Sequence, residues 1–231
     1  MTVTTPELPR NLSAGPQQQL ADIVGRWADG SGMRQTAIEG VDLYRSDGLT
    51  ACGSTVYEPS LIFILQGTKT IQLGDREIVY GPMSYLASSV HLPVQGQIVD
   101  ACKDRPYLAA KITVDPQEVT DLVLELGDKV ASFDPDSPCP EISCGLCMSY
   151  MDERMQGALY RLLSLLDSPE DIQVLAPLAR REIIYRALIG EMGPRMRKFV
   201  AADSQANRIS RVISTLRGRY TEPLQIGRAH V

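Results

Sequence analysis

The sequence predicts an α+β fold in which antiparallel strands come first and helices follow. Three observations predict it. Seven short runs rich in β-branched and aliphatic residues lie between Thr36 and Val114, each bounded by Gly, Pro, Asp or Ser. Two of them are joined by Gly74-Asp75, a two-residue hairpin turn in which glycine supplies the positive φ. At Asp115-Pro116-Gln117-Glu118 the period changes from two to that of a helix: aspartate caps, proline suits the first turn and glutamate can close a capping box.

In chain order, Pro16 to Trp27 carries Leu20, Ile23, Val24 and Trp27 at i, i+3, i+4 and i+7, a helical stripe that Gly30 ends. The expected strands are Thr36 to Arg45, Leu61 to Gln66, Thr70 to Leu73, Glu77 to Tyr80, Met83 to Ala87, Val94 to Val99 and Tyr107 to Val114, spaced as in an antiparallel barrel or sandwich. In the last run Leu108, Ala110, Ile112 and Val114 share one face and Tyr107, Lys111 and Thr113 the other, which suits a wall with one wet side. A helix to Leu126 follows, stopped by Gly127, and then a cysteine-bearing loop. Met151 to Leu166 is expected to be helical, with Met155, Leu159, Leu162, Leu163 and Leu166 on one face. Ser168-Pro169-Glu170-Asp171 opens another helix, expected to bend at Pro177, and Ser204 to Tyr220 forms the last.

With 231 residues, 44% of them hydrophobic and 22% charged, the composition excludes collagen-like, disulfide-dense and disordered classes. No apolar run suggests a membrane span, and the N-terminus lacks a secretory pattern, so a cytoplasmic protein is expected. The net charge of −5 is unevenly placed: residues 180–231 hold eleven basic and four acidic side chains, net +7, and the preceding residues carry −12. Such a basic end fits nucleic-acid contact or a solvated helix face.

No G-x-S-x-G elbow, phosphate-binding glycine loop or H-E-x-x-H pair is present. The stretch CPEISCGLC places Cys139, Cys144 and Cys147 together, in what reads as a surface loop flanked by Pro138 and Pro140. The C-x-x-C spacing allows both thiolates to bind one metal ion or to form a small disulfide, with Cys139 as a third ligand. Zinc would need a fourth ligand, and a redox or electrophile switch needs only two thiols. A metal site, thiol sensing and no functional role all remain open, and no cofactor is required.

An ordered series of landmarks resembles the sensor part of AraC-type bacterial transcription regulators. It comprises Val56-Tyr57-Glu58-Pro59-Ser60, Gln66-Gly67, Leu73-Gly74-Asp75, Tyr80-Gly81-Pro82, Leu92-Pro93-Val94 and Arg105-Pro106-Tyr107-Leu108. Leu166-Asp167-Ser168-Pro169-Glu170-Asp171, Leu175-Ala176-Pro177-Leu178 and Arg181-Glu182-Ile183-Ile184-Tyr185-Arg186 extend the resemblance, which covers about residues 36–224. It implies a cupin-like antiparallel β-barrel, a helical dimerisation region and the first helix of an incomplete helix-turn-helix module. The corresponding expected units are an N-terminal arm and helix (1–34), the effector-sensing barrel (35–127), the helical linker and dimerisation region (128–200) and the start of the DNA-binding domain (201–231).

The resemblance further implies a small-molecule effector, a homodimer, and promoter DNA as partner of the full-length protein. The landmarks stop near Ile226, so operator recognition by this chain is not expected, and Arg208 and Arg211 are left as DNA phosphate contacts. Tyr57, Tyr85 and Tyr107, each a ring with one hydroxyl, are candidate effector contacts, as is His91 at the barrel mouth. Two alternatives stand beside this reading: a stand-alone cupin-like small-molecule or metal-binding protein, and a cupin enzyme. Only His91 and His230 are present, so a histidine-rich catalytic metal site cannot be built in one chain.

Overall fold

The computed structural model describes residues 14–73, 76–126 and 146–196. Two antiparallel sheets and a helical layer stack in the order small sheet, large sheet, helices. Helix α1 (Ala14–Trp27) precedes strands β1 (Gly32–Gln35), β2 (Val41–Ser46), β3 (Gly53–Tyr57), β4 (Ser60–Gln66), β5 (Thr68–Leu73), β6 (Arg76–Tyr80), β7 (Ser84–Ser88), β8 (Leu92–Asp100) and β9 (Tyr107–Thr113). Helix α2 (Pro116–Leu126), strand β10 (Leu146–Tyr150) and helices α3 (Glu153–Ser164), α4 (Ile172–Ile189) and α5 (Gly193–Met196) follow. The large sheet runs β1-β2-β9-β4-β7-β10 and the small one β3-β8-β5-β6.

Side-chain alternation builds the layers, because successive strand residues face opposite ways. On β4, Leu61, Phe63 and Leu65 point to the helices, whereas Ile62 and Ile64 point to the space between the sheets. On β9, Leu108, Ala110 and Ile112 meet the helices and Tyr107 and Ala109 the inter-sheet space. Helices α1, α3 and α4 close the other side with Leu20, Val24, Leu159, Leu162, Ile183 and Ile184, all fully buried. Trp27, expected on the buried stripe of α1, sits at its edge, and its indole N–H donates to Asp167 at 2.9 Å.

Several expectations are corrected. The strand expected from Thr36 begins only at Val41: the Thr36 hydroxyl donates to the Val41 carbonyl at 2.8 Å, and Gly40 turns the chain at φ +71°. The face of β9 expected to be wet looks into the molecule instead, with Tyr107 2% exposed. The sheet also takes strands from outside the expected 35–127 span, at β1 and β10. Leu73 pairs with Arg76, as a two-residue connection requires, while Gly74 and Asp75 lie outside the described residues. Helix α4 continues through Pro177 to Ile189, as expected. Asp115 does cap α2, accepting from the Gln117 N–H at 2.8 Å, but Glu118 pairs with Arg180 instead of closing a capping box. Asp152 caps α3 through the Met155 N–H. Among the described residues no helix is long and apolar enough to cross a membrane. The helix expected at 204–220 lies outside the described residues.

Candidate effector cavity

A cavity of about 330 Å³ opens between the two sheets. The large sheet contributes Tyr44, Ile62, Tyr107, Ala109 and Lys111; the small sheet contributes Tyr57, Lys69, Tyr80, Gly96 and Ile98. Met33, Thr50 and Ser54, from exposed segments, stand at its rim.

Four tyrosines, Tyr44, Tyr57, Tyr80 and Tyr107, share the lining with apolar side chains and with charged ones. The Tyr57 and Tyr80 hydroxyls are hydrogen-bonded to each other at 2.8 Å, and Tyr107 packs edge-on against Tyr44 with ring centroids 5.9 Å apart. Burial pushes the Tyr80 phenol well above the ordinary tyrosine value, and the neighbouring Tyr57 and Tyr107 add to this. Tyr107 is raised in the same direction, first by burial and then by Tyr57 and Tyr44. Both are therefore neutral hydrogen-bonding groups at any physiological pH.

Two lysines line the same space in different electrostatic settings. Lys111 on β9 is neutralised, its Nζ 3.5 Å from Asp42 Oδ2 and 3.4 Å from Glu58 Oε2. Lys69 on β5 has no carboxylate within ion-pair distance among the described residues, and its Nζ lies over the Tyr57 ring, 5.5 Å from the centroid. Diagonally across on β8, opposite Ile71, is Gly96, where an added Cβ would stand 3.0 Å from Lys69 Cε. The glycine is what leaves room for the lysine stem.

The residues expected to meet an effector divide. Tyr57 and Tyr107 line the cavity. Tyr85 lies on the opposite face of the large sheet, stacked on Phe63 with centroids 5.4 Å apart, because its position on β7 has the helix-facing parity. Burial raises its phenol pKa, and Cys147 is the next contributor. His91 is half-buried in the β7–β8 connection and is not part of the lining. Sequence reasoning missed Lys69, Lys111, Tyr80 and Gly96. The available signal was Lys69 sharing a strand face with Ile71 and Leu73, a charge where the pattern is apolar.

The cysteine stretch is corrected at one end. Cys147 belongs to β10, not to a surface loop; it is 5% exposed in the helix-facing core, and its thiol donates to the Ala87 carbonyl with an S···O distance of 3.7 Å. Cys139 and Cys144 lie outside the described residues, as do Arg208 and Arg211. Among the described residues no three His, Cys, Asp or Glu side chains gather to hold a metal ion.

Besides the apolar packing, a nearly buried guanidinium links this body to the helices. Arg180 of α4 donates to the carbonyls of Glu39 at 2.7 Å and Thr113 at 3.0 Å, and lies 3.3 Å from Glu118 Oε2. Its side chain is 14% exposed, and a Cβ at Gly40 would fall 2.6 Å from its Nη1. A single guanidinium thus ties the turn before β2, the end of β9, α2 and α4 together.

Residues 37–195 match the family described as AraC-type transcriptional regulator N-terminus. The chain belongs to this family. No curated protein matches the sequence. Among solved structures, ToxT from Vibrio cholerae O395 bound to a methylnaphthalenyl-butenoic acid aligns with TM-score 0.50 at 10% identity, covering 76% of this chain and 64% of that one. An apo ToxT variant from strain SCE256 gives 0.48 at 9%, covering 83% and 69%, and the AraC-like transcriptional activator CuxR gives 0.34 at 12%, covering 81% and 64%. The chain therefore spans about two thirds of these relatives' length. Its fold is α+β with a cupin-like two-sheet body, as the resemblance implied.

Proposed function

We propose that this AraC-type chain is the sensing and pairing part of a DNA-binding transcription regulator, and that its effector occupies the cavity between the sheets. The observation that carries the reading is the position of β9. One face lines the cavity with Tyr107, Ala109 and Lys111, and the other packs on the helices with Leu108, Ala110 and Ile112. The strand's end is held to α4 by Arg180. A ligand that favours one setting of β9 therefore biases the helices, a population shift that needs only a difference in affinity between two arrangements.

Pairing of two chains is assigned to the helical layer. Val174, Leu175 and Leu178 of α4 are 67%, 43% and 61% exposed, and Leu124 of α2 is 76% exposed, an apolar surface that a second copy would cover. The basic side chains from Arg195 onward fit contact with promoter DNA in the full-length protein, with Arg208 and Arg211 on phosphates. The role is regulatory rather than catalytic, and it places the protein in the cytoplasm with its DNA. ToxT, bound to an organic acid in its solved complex, shares the fold and supports a small-molecule effector here.

The test is a thermal-melting screen of the chain against small metabolites, repeated on Ala109→Leu, which fills the cavity from β9. A true effector at about 100 times its Kd raises the Tm of the wild-type chain by roughly 5–10 °C and leaves the variant unmoved. Compounds that stabilise both proteins equally would place the ligand site elsewhere.

A further inference from the structure

The chemistry of the cavity wall narrows the class of ligand, an inference that rests on the cavity being the effector site. The two sheets present opposite electrostatic faces to the same space. On the large sheet, Asp42 and Glu58 flank Lys111, leaving that group of three with an excess negative charge. On the small sheet, Lys69 carries a positive charge without a carboxylate among the described residues, and the Tyr57 ring is its main protein partner. An ammonium on a cavity wall with no carboxylate beside it is a ready partner for an anion, which makes a stronger contact than the face of one aromatic ring.

The sequence keeps this lysine in place by two devices. Lys69 lies on the strand face of Ile71, whose side chain is fully buried, so its stem is directed between the sheets. Gly96 on the neighbouring β8 withholds the side chain that would collide with the stem. Around the ammonium are groups suited to an apolar body with one polar end. Ile62, Ile98 and Ala109 supply the apolar surface, and the bonded Tyr57–Tyr80 pair leaves one O–H free to donate.

We propose that the cavity binds a small organic monoanion, its carboxylate paired with Lys69 Nζ beside the Tyr57–Tyr80 hydroxyl pair and its apolar body between Ile62, Ile98 and Ala109. Glu58 repels an acid group from the Lys111 side and so fixes the ligand's direction. A volume near 330 Å³ is at the lower end of the range for ligand sites, about 300–1,000 Å³, which restricts the ligand to a short chain or one to two rings.

Isothermal titration of the full chain with octanoate, octanol and octylamine separates charge from apolar fit. Octanoate binds roughly 10- to 100-fold more tightly than octanol, the range for a charge-assisted pair, and octylamine is the weakest. Lys69→Met removes the octanoate preference and leaves octanol binding intact, which also reports that the variant's cavity is folded. Equal affinity for octanoate and octanol in the wild type, tightest binding of octylamine, or an octanoate affinity unchanged in Lys69→Met overturns the anion inference and leaves the cavity as a ligand site. Failure of all three probes to bind overturns both.

Discussion

The two faces of the large sheet are built from one set of strands and do opposite things. Toward the helices, Phe63, Leu108, Ile112 and their partners pack against Leu20, Leu159 and Ile183 in a core that excludes water. Toward the small sheet, the intervening residues bring tyrosines, lysines and a cavity of about 330 Å³. The difference teaches where stability and response reside. The helix-facing side gains from every buried methylene, whereas the inner face leaves apolar surface and a charge for an occupant to complete.

Adjacent residues on β4 put this contrast to its largest test. Phe63→Ala, on the fully buried helix-facing side, opens a new void and should cost about 3–5 kcal/mol. Ile62→Ala enlarges a space that already exists and should cost about 1–2 kcal/mol, below the usual value for burial. Urea denaturation of both variants measures this, and equal losses would mean that the inner face is as closely packed as the outer one. Next in size is Arg180→Ala, which leaves the Glu39 and Thr113 carbonyls without their donor and should cost about 1–3 kcal/mol. Arg180→Lys should recover only part, because one ammonium cannot reproduce the planar fork. If Arg180 is the connection between cavity and helices, the Ala variant also retains ligand affinity while losing the ligand's effect on pairing, measured by sedimentation.

How much of this was legible beforehand follows the same division. Strands in Leu61–Gln66 and Tyr107–Val114 and the turn into α2 could be read because β-branched runs and caps are local signals. Strand β10 could not: LCMSY has no β-branched residue, and its place is fixed by pairing with β7, Cys147 opposite Ala87. The alternation of β9 was readable but its orientation was not, since a cavity wall and a solvent face both carry tyrosine, lysine and threonine. Tyr57 and Tyr107 could be proposed from their chemistry, a ring with one hydroxyl on a strand, but that chemistry did not separate them from Tyr85 on the other face. The fit of Lys69 to Gly96, 27 positions apart, exists only after β5 and β8 are paired.

The smallest effect belongs at the outer surface of the helical layer, and it tests whether ion pairs there matter beside burial. Glu182 of α4 bonds to Arg161 of α3 and to Arg186 one turn on. Partial burial would raise its carboxyl pKa, but the two guanidinium groups outweigh that and hold it below the ordinary glutamate value. A folded-state pKa below the unfolded one means that the unfolded chain takes up protons first as pH falls. The contribution is thus present above the ordinary glutamate range and lost on acidification through the folded value. Solvent screens the cluster, with Arg161 55% exposed, so Glu182→Gln should cost no more than about 1 kcal/mol at pH 7. The variant and the wild type should converge once the pH falls below the folded-state value, as chemical denaturation at each pH would show. A loss at neutral pH as large as that of Phe63→Ala would instead make charge, and not the buried face, the main bond between α3 and α4.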